Sequence, residues 1–129
     1  MNQLFYGDNL HVLREHLADE SVDLIYLDPP FNSKRDYNLL FKSHKGHMSE
    51  AQIEAFKDSG YWGKQAEQEF DELIRQKNTD VAKVTNALID FLGRNDMTAY
   101  LVMMVNRLLQ LHRVLKPTGS LYLHCDPTA

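Results

Sequence analysis

Residues 22–31 read Val22-Asp23-Leu24-Ile25-Tyr26-Leu27-Asp28-Pro29-Pro30-Phe31. The first six are mostly apolar and of strand length, and they stop abruptly at an acidic residue followed by two prolines. Such a run fits a strand of a parallel sheet with both faces covered. Pro29 drives Asp28 out of the helical region, and the paired prolines fix their own φ and carry no amide donors. The corner is therefore stiff and rich in acceptors, with one carboxylate beside carbonyl oxygens. In open α/β sheets ligands bind just beyond the carboxyl ends of strands, so the sequence places a candidate site at Asp28. Asp-Pro-Pro is also a plain loop terminator, and the tripeptide alone does not separate the two uses.

Working outward, Leu4-Phe5-Tyr6 closed by Gly7-Asp8 suggests a strand end, followed by a helix capped by Asp8 that carries Leu10, Leu13 and Leu17 at helical spacing. Downstream, residues 31 to 63 mix Asn, Ser, Lys, Gly and aromatics and predict a loop-rich excursion with a short helix from Ser49 to Lys57. Three helices are then expected, Gln65 to Lys77, Asp80 to Leu92 ending at Gly93, and Met97 to Leu115. The last carries Leu101, Val105, Leu108, Leu111 and Leu115 as a buried stripe, with Met103 and Met104 also read as core. Lys116-Pro117-Thr118-Gly119 predicts a turn, and Ser120 to His124 a final strand. Asp126-Pro127 looks like a helix start, with Asp as cap and Pro at the first helical position. Strands alternating with helices indicate an α/β fold with a parallel sheet, because parallel neighbours need crossovers.

Bulk properties narrow the class only slightly. The formal net charge of −4 means that a DNA-binding face, if present, is not announced by overall electrostatics. One cysteine, Cys125, excludes an intrachain disulfide and fits a reducing, cytoplasmic setting. No apolar run approaches the roughly 18 to 20 residues needed to span a bilayer, so no membrane role is read. The histidines lack thiolate or carboxylate partners at set spacing, and no metal is expected.

The acceptor-lined corner suits one chemistry. An exocyclic amino group on a nucleobase is a poor nucleophile because its lone pair is delocalised into the ring. Acceptors gripping its two hydrogens, such as Asp28 and the Pro29 carbonyl, favour a localised nitrogen and offset the positive charge that develops as it attacks a methyl sulfonium. Phe31 supplies an aromatic face for a base taken out of its stack.

Gly7-Asp8-Asn9-Leu10, the Val22 to Asn32 stretch, Asp96-Met97-Thr98-Ala99-Tyr100-Leu101 and the run from Leu111 to Ala129 together resemble the DNA adenine and cytosine amino-methyltransferases. The likeness is to the permuted group, in which the catalytic motif precedes the cofactor motif. The resemblance implies a partial Rossmann-like methyltransferase fold with an incomplete parallel sheet, residues 1–129 forming the amino-terminal part of a catalytic domain and about 32–95 a helical and loop insertion. It assigns Asp28, Pro29, Pro30 and Phe31 to the target base. Asp at position 28 favours adenine, since cytosine enzymes more often carry Ser there. Asp8 becomes a candidate contact for S-adenosylmethionine, beside its reading as a helix cap. Double-stranded DNA is the implied partner, and restriction–modification the implied setting. The implied alternatives are a cytosine-N4 methyltransferase and a non-catalytic α/β binding module.

The family's glycine-rich cofactor loop has no counterpart among the six glycines. In the family's sheet, the strand ending at Tyr6 is separated from that ending at Leu27 by strands absent here, leaving edges unpaired. The chain alone is accordingly expected to be inactive and poorly stable until the remainder of the domain is supplied. Lys34, Arg35, Lys42 and Lys45, interleaved with Tyr37, Phe41 and His44, fit either DNA phosphate contacts or a solvated loop. Tyr61 and Trp62 fit either base stacking or, preferably, anchoring of the loop on the helices. Isothermal titration of this chain with S-adenosylmethionine should show no micromolar binding; micromolar affinity would overturn the reliance on a separate glycine loop.

Overall fold

The computed structural model of the chain describes residues 1–29 and 61–125. The expected helix from Ser49 to Lys57, the basic loop residues, Pro30, Phe31 and Asp126 to Ala129 lie outside these. The described elements run in the order α1 (Asn9–His16), β1 (Val22–Leu27), α2 (Lys64–Arg75), α3 (Thr79–Leu92), α4 (Asp96–Val114) and β2 (Leu115–Leu123). The two strands pair in parallel, giving the α/β arrangement of a partial Rossmann-like sheet. Among the described residues no helix is long and apolar enough to cross a membrane.

Helix boundaries follow the caps. The Asp8 side chain accepts from the Leu10 amide at 2.9 Å and starts α1. Asn78 does the same for Val81 at the start of α3, and α3 stops at Gly93, whose φ of 79° suits a residue without Cβ. Two residues on, Asn95 and Thr98 form a reciprocal capping box for α4, the Thr98 amide donating to Asn95 Oδ1 at 3.1 Å and the Asn95 amide to Thr98 Oγ1 at 2.9 Å. The Thr98 hydroxyl donates in turn to the Gly93 carbonyl at 2.8 Å, so the α3–α4 corner closes on itself with its polar groups satisfied.

α4 is the central element, touching α1, α2, α3 and β2. Phe70, Leu73 and Ile89 pack with Val102 on one of its faces, with Trp62, Val105 and Leu109 alongside. Leu111 and Val114 pack with Leu13, against Val22, Ile25, Leu27 and Leu121 of the sheet. Tyr100, Met103 and Met104 form a third group that reaches Leu27. The methionines are core, as the sequence suggests, but the expected single stripe is not the most buried part of the helix. Leu101, Val105, Leu108 and Leu115 are half-buried, whereas Thr98, Val102 and Val114 are fully enclosed. A helix contacted from several sides buries residues around most of its circumference, and a one-face periodicity underestimates that.

Two further expectations are corrected. Residues 4–6 form no strand, and Leu4 and Tyr6 are exposed, because a strand exists only where a neighbour completes its hydrogen bonds. Phe5 instead stacks on His16, ring centroids 5.0 Å apart. β1 is covered on one face and not both: Ile25 and Leu27 meet the helices, while Leu24 and Tyr26 remain open among the described residues.

The expected turn at Lys116 to Gly119 is a bulge inside β2. Val22 pairs with Leu115 and Leu24 with Ser120, so two residues on β1 oppose five on β2, after which the rungs run evenly to Leu27 and Leu123. A Cβ on Gly119 would lie 3.0 Å from the Asp23 carbonyl and 2.6 Å from the Leu115 side chain, which excludes any larger residue without rearrangement. Lys116 donates to Asp23 at 2.9 Å across the bulge.

At the start of α2, the Trp62 indole donates to Glu67 at 2.6 Å and Arg94 reaches the same carboxylate at 3.4 Å. Trp62 thus anchors to the helices, packed edge-on to Phe70, while Tyr61 is exposed. The Trp62 hydrogen bond, aided by Arg94 and opposed by burial, lowers the Glu67 carboxyl below its usual value. A depressed carboxylate stabilises the fold above the unfolded-state value, and that stabilisation disappears as pH falls through the folded-state value. Glu67→Gln should therefore lower the urea midpoint at pH 7, with the difference from wild type closing as pH drops through the carboxylate range.

Candidate functional site

The candidate site lies where the carboxyl ends of β1 and β2 stand side by side. Leu27 pairs with Leu123, and the His124 amide donates to the Leu27 carbonyl at 2.9 Å, one step beyond the last rung. This places Asp28 and His124 together, His124 Nδ1 lying 3.2 Å from Asp28 Oδ1. Both side chains are open, 62% for Asp28 and 58% for His124. The Asp28 carboxylate faces solvent among the described residues, and Phe31, the expected aromatic face for a base, lies outside them with Pro30. Pro29 follows Asp28 in non-helical backbone, as the paired prolines require.

Behind this tip sits Tyr100 of α4, 6% exposed and packed with Met103, Met104 and Leu27. Burial, and after it the neighbouring Cys125, raise the Tyr100 hydroxyl above its ordinary value. The phenol thus stays protonated under any ordinary condition and can act only as a hydroxyl donor or acceptor. Sequence reasoning assigned no role to Tyr100 or His124. The signal for His124 was its position immediately after a strand parallel to the one that ends at Asp28.

Asp8, the cofactor candidate, lies at the amino end of α1 and is firmly engaged. Besides capping Leu10, both its carboxylate oxygens accept from Arg107 Nη2 at 2.9 Å. Arg107 is 8% exposed and spends its other donors on Asn9 Oδ1 at 2.9 Å, the Met103 carbonyl at 2.9 Å and Glu69 at 3.5 Å. One guanidinium thereby joins α1, α2 and α4, its planar fork matching several oxygens at once. The cap reading of Asp8 holds, with an ion pair added that the sequence did not announce. The preceding Gly7 has φ of +139° and open space where a Cβ would stand.

The other end of α1 is held by a second arginine from α4. Arg113 donates to the Leu13 carbonyl at 2.6 Å and the Leu17 carbonyl at 3.1 Å, and it also meets Asp19. These carbonyls are among the orphan acceptors of a helix carboxyl end. Because Arg107 meets the start of α1 and Arg113 its end, the two helices run in the same direction.

Replacing Arg107 by Met would strand Glu69 and half-buried Asp8 without their cation, and loss of one member of a buried ion pair costs roughly 3 kcal/mol. Urea denaturation should read a loss of that order for Arg107→Met and a smaller one for Arg107→Lys, which keeps the charge without the fork.

Comparison with known proteins adds three findings. Residues 22–129 match the family described as DNA methylase, a span that begins at the first residue of β1 and includes both strands and Asp28. Over 128 residues the chain is 27% identical to the Type III restriction-modification enzyme StyLTI Mod subunit of Salmonella typhimurium (strain LT2), covering 97% of this chain and 16% of that relative. No solved structure matches.

Proposed function

The chain belongs to the DNA methylase family, the N6/N4 amino-methyltransferases, and from that premise we propose that it serves methyl transfer from S-adenosylmethionine to the exocyclic amino group of an adenine flipped out of double-stranded DNA. The observation that carries the reading is Asp28 at the tip of a parallel strand, its carboxylate accessible and not neutralised by a lysine or arginine among the described residues. In this reading Asp28 and the Pro29 carbonyl accept the two amino hydrogens, Pro30 keeps the corner rigid, and Phe31 stacks on the base. Asp rather than Ser at position 28 supports adenine. The chain spans 16% of the length of the Mod subunit it resembles, and the likeness supports a place in restriction–modification with further chain completing the domain. On the same reading, residues 1–129 are an amino-terminal portion and about 32–95 an insertion within it.

S-adenosylmethionine supplies a sulfonium-bound methyl group that the amino nitrogen can attack directly. Asp8 would face the cofactor through the main chain beside the open Gly7, since its carboxylate is already gripped by Arg107. That arrangement fits the flat edge of an adenine better than the hydroxyls of a ribose, which call for a free carboxylate. No covalent intermediate with the protein is involved.

The test extends the chain downstream with a segment carrying a cofactor glycine loop and follows labelled methyl incorporation into DNA. Asp28→Ala should reduce incorporation by at least about 100-fold, the loss typical of removing one preorganised group that stabilises transition-state charge. Equal incorporation by both proteins rejects the role given to Asp28.

A further inference from the structure

Asp28 as an isolated carboxylate on a strand tip would rotate freely about its side-chain bonds, and a rotating acceptor is a poor grip for an amino group whose geometry matters. The adjacent strand provides a restraint. His124 is fixed by its main chain, its amide donating to the Leu27 carbonyl at 2.9 Å, and its Nδ1 lies 3.2 Å from Asp28 Oδ1. Two successive features of the same rung therefore tie His124 to the residue before Asp28 and to Asp28 itself. With both side chains more than half exposed, the pair contributes little to stability, so the fold does not account for it.

We propose that His124 is a positioning residue for the methyl-transfer step: its Nδ1–H donates to Asp28 Oδ1 and leaves Oδ2 aimed at the incoming amino group. This inference rests on the function proposed above. A neutral imidazole orients the carboxylate without cancelling its charge.

In the extended, methylating form of the chain, His124→Ala should lower kcat by roughly tenfold, as expected when a reacting group loses its alignment, with KM for DNA nearly unchanged. His124→Asn, whose amide nitrogen falls where Nδ1 does, should recover most of kcat. A kcat for His124→Ala equal to wild type, with Asp28→Ala inactive, overturns the inference and leaves the proposed function standing. If Asp28→Ala itself matches wild type, the proposed function fails instead. In the unextended chain, nitrogen-15 NMR of the imidazole should show the Nδ1–H tautomer, with its signal moved by Asp28→Asn; an Nε2–H tautomer indifferent to that substitution also overturns the inference.

Discussion

A buried guanidinium holds this arrangement together. Arg107 is almost wholly enclosed, yet each direction of its fork finds oxygen: Asp8 and Asn9 at the start of α1, Glu69 on α2 and a carbonyl of its own helix. An arginine at this depth is tolerable only when so matched, since desolvating a charge costs more than a single pairing returns. The consequence is geometric. α1 cannot slide along or turn away from α4, because Arg113, six residues later, collects the carbonyls at its other end. With α1 locked parallel to α4, Leu13 is delivered onto Val114 and Leu111, and β1 lies against them.

From that lock the tip of the sheet follows. β1 sits on the α1–α4 surface through Ile25 and Leu27, β2 continues directly from the end of α4, and the strands meet in parallel with Leu27 opposite Leu123. Asp28 and His124 are then neighbours by construction, each being the residue just past a paired position. The chemistry proposed for the tip needs an acceptor on a rigid base, and the helix pair behind it supplies one, with Tyr100 and the two methionines packed against Leu27.

Much of this was legible from residue types whose physics is local. Asp8 and Gly93 mark helix ends because a side-chain oxygen and a missing Cβ act within a turn of where they stand. Val22 to Leu27 is a strand, as its β-branched and aromatic run indicates. What escaped depends on partners distant in sequence. Arg107 and Asp8 are 99 residues apart, and an arginine in an apolar helix reads as surface until its acceptors are known. His124 had meaning only once the register of β1 against β2 was fixed. Leu4 to Tyr6 carries strand-like residues, yet the ladder that would make it one is not formed by the described residues. The exposed Leu24 and Tyr26 have the same origin, since composition reports that a face is apolar and not whether anything rests on it.

The bulge at the start of β2 has a bearing on how such chains vary. Three surplus residues between the pairings of Leu115 and Ser120 mean that the helix ahead and the ladder behind need not agree in length. Insertions or deletions there can be taken up as slack. Beyond Ser120 the tolerance ends, because side chains alternate in direction along a strand and a shift by one would point the imidazole away from its carboxylate. Natural length polymorphism in related chains should therefore gather at the bulge, ahead of Gly119, where the close approach of the Asp23 carbonyl and the Leu115 side chain leaves no room for a larger residue.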